Sequence, residues 1–267
     1  MKQANGIRHL RHGFLMKIDE VLSWLRALAP EDTAMDGDPI GLLIHPVVRD
    51  VKHVVVCLDA TPAIALAAAR EGAELIVCHH PLIYRPLSAI LESDPIGQSA
   101  ITLIQEGIAL YAMHTNWDRA QGGINDTLAQ KIGMVEIQPL AATGNAQAAR
   151  IGKISACTVS VLASHITSVL ALASEDALRF SQEFSQRIVQ TLAVCGGAGA
   201  MLLQDALAAG ADAFVTSDVR HHEFIDATAR GVVLIDAGHG ATERPGMASL
   251  AQQMSIQFPN LTITYLA

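Results

Sequence analysis

The sequence predicts an α/β protein made of two related α/β halves, each with a largely parallel sheet covered by helices. Three observations carry that expectation. Short apolar runs alternate with segments of helical spacing, the pattern left by successive strand–helix units. Residues 56–80, VCLDATPAIALAAAREGAELIVCHH, align without a gap on residues 194–218, VCGGAGAMLLQDALAAGADAFVTSD, at a constant offset of 138. A His-x3-acid motif also recurs after a strand-like run, as HTNWD at 114–118 and HGATE at 239–243, at an offset of 125. One such match arises by chance; two in the same order indicate an internal duplication.

Taken in order, apolar residues at 18, 21, 22, 25 and 28 have helical spacing, so a first helix is expected over residues 18–28. The following APEDTAMDGDP, residues 29–39, is a loop of turn formers and charges. HVVVCL at 53–58 reads as a buried strand, 61–70 as a helix and 74–78 as the next strand. Residues 95–106 read as a helix, 109–113 as a strand, and 124–131 as a helix closed by Gly133. The uncharged run at 154–174 alternates early and carries Ser, Thr and His, which predicts strand then helix rather than a membrane span. The expected organisation is a disordered lead at 1–15, a first half at 16–133, a connecting segment at 134–187 and a second half at 188–267. His79, His80 and Asp118 fall in the first half, His239 and Glu243 in the second, which places a site between the halves.

Composition narrows the function classes. With 51% hydrophobic and 16% charged residues, the 267-residue chain has enough apolar side chains for a sizeable core and too few charges for a disordered one. The net charge of −8, with no basic stripe beyond RHLRHG at 8–13, argues against a nucleic-acid footprint. Residues 1–15 lack the apolar stretch of a secretory signal. The four cysteines, Cys57, Cys78, Cys157 and Cys195, are scattered without a CxxC spacing, as expected for reduced core thiols of a cytoplasmic protein.

The stretch LIVCHHPLIY at 75–84 places His79 and His80 where an apolar strand reaches its carboxyl end, the usual ligand position in open α/β sheets. Consecutive residues on an extended backbone point to opposite sides, so the pair suits two separate metals better than one. In each His-x3-acid motif, one helical turn brings an imidazole and a carboxylate onto the same face, a donor set suited to a borderline transition metal. Either motif alone reads equally well as an ion pair or a helix N-terminus. Their convergence at strand ends of a duplicated fold points to metal. His79, His80, Asp118, His239 and Glu243 include no Cys and leave positions open, as in catalytic rather than structural sites. Five side chains are too few to saturate two ions without a bridging carboxylate and water, and Glu243 has the longer arm. His114 is a further ligand, a partner orienting Asp118, or a proton carrier. His222, in RHHEF at 220–224, is either a cavity proton donor or an exposed helix start. CGGAG at 195–199 is either a phosphate cradle or a tight turn.

Together, LIVCHHPLIY, HTNWDRAQGGINDTLAQKIG (114–133) and IDAGHGATERPG (235–246) resemble the dinuclear-metal proteins known as GTP cyclohydrolase 1 type 2 homologues, or NGG-interacting-factor-like proteins. The resemblance runs from about residue 18 to the C-terminus. It implies two similar α/β domains, a ring-shaped homohexamer, and two divalent transition-metal ions (Zn, Fe, Mn or Ni) on the five residues just named. It also implies a small-molecule, nucleotide-like substrate. Gly37 and Pro39 flank Asp38 where the family has Trp and Asn, Ser217 replaces a Gly, and Gly240 stands where an aromatic is usual. These changes alter the pocket wall without removing a ligand. The expectation is therefore a metal-dependent hydrolase of GTP-cyclohydrolase type, with His114 or His222 moving protons. The alternative is a non-enzymatic hexameric metal-binding or scaffold protein.

Overall fold

The computed structural model describes residues 16–45, 50–173 and 178–267. The lead expected at 1–15 lies outside the described residues. The first part of the chain forms β1 (Met16–Lys17), α1 (Ile18–Leu28), β2 (Gly41–Ile44), β3 (Asp50–Val51), β4 (His53–Asp59), α2 (Pro62–Glu71), β5 (Leu75–His80), α3 (Pro95–Gln105), β6 (Ala109–Ala112), α4 (Thr115–Arg119) and α5 (Ile124–Ile132). There follow β7 (Val135–Pro139), β8 (Arg150–Thr158), α6 (Val159–Val169), β9 (Arg179–Phe180), β10 (Ile188–Val194), α7 (Leu203–Ala208) and β11 (Ala213–Thr216). The chain ends with α8 (His221–Ala229), β12 (Val233–Asp236), α9 (His239–Gln257) and β13 (Thr262–Leu266).

Local chemistry sets these bounds. Thr61 caps α2 by accepting from the Ile64 N–H, Pro62 occupies its first turn, and Gly72 ends it in the left-handed region. Thr158 caps α6 in the same way, which turns the uncharged run at 154–174 from strand β8 into helix.

Two main sheets result. In the first, of order β13-β4-β5-β6-β2, the first four strands run parallel and β2 is antiparallel to β6. In the second, of order β7-β8-β10-β11-β12-β9, β10, β11 and β12 are parallel and the flanking pairings antiparallel. Helices cover both faces of each, as sheets with buried parallel strands require. α1 and α9 close one face of the first sheet around Leu22, Val56, Met247 and Leu250, while α2 and α3 close the other around Ala65, Ile76 and Leu103. α6 seals the second sheet with Leu162 and Ile166, opposite Leu203 and Ala206 of α7. Helix α5 joins the two cores: Ile124 is buried in the first, Leu128 and Ile132 in the second.

The duplication repeats down to single hydrogen bonds. The Glu74 carboxylate accepts from the N–H groups of Lys52 and His53, and that of Asp212 from Gln190 and Thr191, each pair 138 residues on. Past the next strand the offset changes by one. Met113 donates to the Cys78 carbonyl as Ala237 does to Thr216, an offset of 124, yet His114 and His239 differ by 125. The additional residue is Gly238, at φ +83°, a conformation that favours glycine.

The sheets divide the chain differently from the halves expected at 16–133 and 188–267. Residues 134–187, expected as a connector, supply β7, β8, α6 and β9 to the second sheet. The last strand, expected in the second half, pairs in parallel with β4, Thr262 opposite His53, and α9 packs in the first core. Apolar periodicity identifies a strand but not its neighbour, because pairing is decided by tertiary packing. The crossing has a consequence for the site. α9 starts at the carboxyl end of β12 in the second sheet and lies on the first, so its first turn spans the junction.

Candidate metal centre

Four imidazoles meet at that junction, and each is held in the same manner. Nδ1 of His79 bonds the Met113 carbonyl at 2.8 Å, and Nδ1 of His80 bonds Asp59 at 2.8 Å. Nδ1 of His114 bonds Asp38 at 2.8 Å, and Nδ1 of His239 bonds Asp218 at 2.7 Å. With every Nδ1 engaged by an acceptor, Nδ1 carries a proton and Nε2 is the atom left for a metal or a second proton, the arrangement found behind metal-bound histidines. The acceptors are themselves anchored. Asp38 also accepts from the N–H and hydroxyl of Thr115, and Asp218 sits at φ +55°, a left-handed conformation that Asp tolerates better than most residues.

The donor atoms fit an ion. Nε2 of His80, Nε2 of His239 and Oε2 of Glu243 form a triangle with all three edges 3.2 Å. Ligands ~2.0–2.2 Å from one ion in tetrahedral geometry lie roughly 3.3–3.6 Å apart, close to these edges. Nε2 of His79 lies 3.6 Å from Oδ1 of Asp118 and 3.6 Å from Oε1 of Glu243, the other oxygen of the same carboxylate. His79 Nε2, Asp118 Oδ1 and Glu243 Oε2 are buried yet make no hydrogen bond within the protein. Buried polar atoms are almost always satisfied, so three orphans in one cluster mark a group that a cation would complete. Nitrogens of His79, His80 and His114 also lie within ligating distance of one another, as do the donors of His80, His239 and Glu243. These buried His and Glu groups could hold a metal ion.

The electrostatics follow from the packing. Burial opposes ionising Glu243, but the imidazoles of His239, His79 and His80 outweigh it and hold the carboxyl far below its usual range. Burial likewise opposes charging His80, yet Asp59 and Glu243 push its pKa up to about 10. Glu243, acting against burial and with help from Asp218, pushes His239 to about 9. Burial raises the Asp118 carboxyl. In the protein alone, protons do the neutralising that a cation would do.

The cluster forms the floor of a cleft of about 480 Å³ lined by Met35, His80, Pro81, Tyr84, His114 and Asp118, by Cys195 and Met201 beyond β10, and by His239 and Glu243 of α9, among others. His222 is not among the lining residues; it is exposed on the first turn of α8. That position is an exposed helix start. CGGAG is a tight turn rather than an open phosphate cradle. The N–H groups of Gly196, Gly197 and Gly199 are occupied by the side chains of Asn125, Thr242 and Thr216. Gly197, at φ +64°, lets the turn pass against the site, since a Cβ there would lie 2.3 Å from Glu243 Oε1. Burial pushes the Cys195 thiol well up, which leaves it protonated and a poor nucleophile.

Sequence reading brought five of these groups to one place but missed Asp38, Asp59 and Asp218, the carboxylates behind three of the imidazoles. Asp59 ends an apolar strand and Asp218 aligns with His80 across the duplication, so both carried a positional signal.

Fold and site together define a two-sheet α/β protein with imidazoles and carboxylates gathered at the junction of its sheets. Residues 16–266 match the Duf34/NIF3 (NGG1p interacting factor 3) family, and the chain belongs to it. A GTP cyclohydrolase 1 type 2 homolog of Streptococcus pneumoniae is 34% identical over 225 residues, covering 84% of this chain and 85% of its own. One from Nostoc sp. is 33% identical over 242 residues, covering 90% and 91%. The crystal structure of a Staphylococcus aureus protein superposes with a TM-score of 0.86 at 27% identity, covering 94% of this chain and 96% of its own. A Bacillus cereus protein related to NIF3 reaches 0.88 at 23% identity, covering 95% and 97%, a likeness of fold.

Proposed function

We propose that the protein is a dinuclear-metal hydrolase acting on a nucleotide-like small molecule. The observation that carries this reading is the division of Glu243. Its Oε2 faces His80 and His239 while its Oε1 faces His79, which also approaches Asp118. One carboxylate between two imidazole sets is the arrangement a bridging ligand requires, so His80, His239 and Glu243 would hold one ion, and His79, Asp118 and Glu243 the other. Two divalent transition metals, Zn, Fe, Mn or Ni, would supply Lewis acidity and water activation at neutral pH. The names of the relatives support a cyclohydrolase type of chemistry.

The chain's own residues have distinct tasks in this reading. Asp59 and Asp218 fix the tautomers of His80 and His239, and the Met113 carbonyl fixes that of His79. His114 holds its proton on Nδ1 against Asp38 and turns Nε2 to the cleft, where it can accept a proton and return it to a leaving group. Trp117, buried in the first core, and Leu128, buried in the second, anchor α4 and α5. The working form is a homo-oligomer, a hexamer by family resemblance, consistent with the exposure of Ile225 and Ile256.

The test is elemental analysis of metal-reconstituted protein, then hydrolysis of a panel of nucleosides, nucleotides and a generic phosphodiester beside Asp118→Ala. About two ions per chain and turnover lost in the variant are expected. Full metal occupancy with no turnover on any compound would favour a non-enzymatic metal-binding protein, and one ion or none would overturn the dinuclear centre. Light scattering that finds a monomer would overturn the oligomer.

A further inference from the structure

The walls of the cleft differ chemically from its floor. Loops of the first sheet contribute Met35, Pro81 and Tyr84, and the turn after β10 and its continuation contribute Ala198, Met201 and Leu202. Two of these are large side chains left exposed, Tyr84 at 60% and Met201 at 70%. The Tyr84 ring stands perpendicular to that of His114, centroids 6.4 Å apart, at the edge of the metal cluster. Folding leaves these apolar surfaces uncovered beside the reactive groups, where a flat ligand can cover them.

Charge is the second observation. Among the described residues, no Lys or Arg lines the cleft. Arg119, next to Asp118, is committed to the carbonyls of Thr33 and Gly144. The N–H groups of Gly196, Gly197 and Gly199 are occupied by side chains and offer a phosphate nothing. Against this stand five carboxylates: Asp118 and Glu243 on the floor, and Asp38, Asp59 and Asp218 behind the imidazoles. Two divalent ions bring four positive charges, so even the loaded site has no surplus positive charge to offer a polyanion.

We infer that the cleft takes a planar heterocycle of little or no negative charge, seated against Tyr84 and Met201, and does not take a nucleoside triphosphate. This rests on the dinuclear reading above and names the substrate class for it. The base of a nucleotide fits these walls; among the described residues its triphosphate finds no Lys or Arg lining the cleft.

The test is calorimetric titration of Zn²⁺-loaded protein with guanosine, adenosine, GTP and inorganic tripolyphosphate, repeated on Tyr84→Ala and Tyr84→Phe. At least one nucleoside is expected to bind, with GTP no tighter and tripolyphosphate unable to compete. Loss of the ring in Tyr84→Ala should weaken nucleoside binding about tenfold or more, whereas Tyr84→Phe should retain it. Zn²⁺ content, measured on the same samples, should be unchanged in both variants. GTP binding more than tenfold tighter than its nucleoside, competition by tripolyphosphate, or no nucleoside binding by the Zn²⁺-replete protein would each overturn the inference. A wild-type Zn²⁺ content below one per chain would instead identify failure of the metal reading itself.

Discussion

The Nε2 atoms of His80 and His239 stand 3.2 Å apart, although the residues are 159 positions apart in sequence, His80 ending β5 of the first sheet and His239 opening α9 just past β12 of the second. With the Nδ1 of each bonded to an aspartate, the two ring nitrogens repel if both are bare. Protons shared with Glu243, whose Oε2 lies 3.2 Å from each, or a cation in their place, relieve the contact. Much of the behaviour of the site follows from that competition.

Stability should depend on pH in opposite ways with and without metal. His80, pushed to about 10, and His239, pushed to about 9, lie above the unfolded value of ~6.5. Their protonation therefore stabilises the metal-free fold fully below about pH 6.5, and that contribution is lost as pH rises through about 9 to 10. A cation must displace the same protons, so the rise in Tm on adding Mn²⁺ should be small at pH 6 and grow towards pH 9. Thermal unfolding at pH 6, 7.5 and 9 checks this, and a rise that ignores pH would remove the imidazoles as ligands.

Glu243 and His79 should behave differently on removal. Glu243→Gln should deplete both metal positions, since each of its oxygens faces a different imidazole set. His79→Ala should leave the set of His80 and His239 intact and retain about one ion per chain. Elemental analysis after identical reconstitution decides, and equal losses would contradict the division.

Gly197→Ala should damage the site more than the fold. Its Cβ would lie 2.3 Å from Glu243 Oε1 and 3.3 Å from His239 Nε2. Gly210→Ala is the control, at φ +78° with nothing within 4 Å. Both should lose about 1–2 kcal/mol to left-handed strain, or roughly 2–8 °C in Tm for a chain of this size. Only Gly197→Ala should also lose metal.

Asp38→Ala should cost about 1–3 kcal/mol in urea unfolding, because it strands the Thr115 hydroxyl and N–H and frees His114. Burial raises the Asp38 carboxyl, but bonds from His114 and Thr115 more than offset it and leave the pKa lowered. Its contribution is therefore present above the usual carboxylate range and lost as pH falls below it. The gap between wild type and variant should narrow in acid.

The sequence by itself determined a good deal of this protein. Alternating apolar runs and cap residues specified the strands and helices, since periodicity and capping are local properties. The duplication was readable because Glu74 and Asp212 do the same work at the same offset. The convergence of His79, His80, Asp118, His239 and Glu243 could be anticipated because ligands gather at the carboxyl ends of parallel strands. Tertiary structure alone decided which sheet received β13 and the segment 134–187, because strand pairing depends on surfaces remote in sequence. It alone placed Asp38, Asp59 and Asp218 behind their imidazoles, and His222 on an exposed turn. A side chain's role at a site depends on distances of a few ångströms between segments scores of residues apart, and only the packed chain fixes those distances.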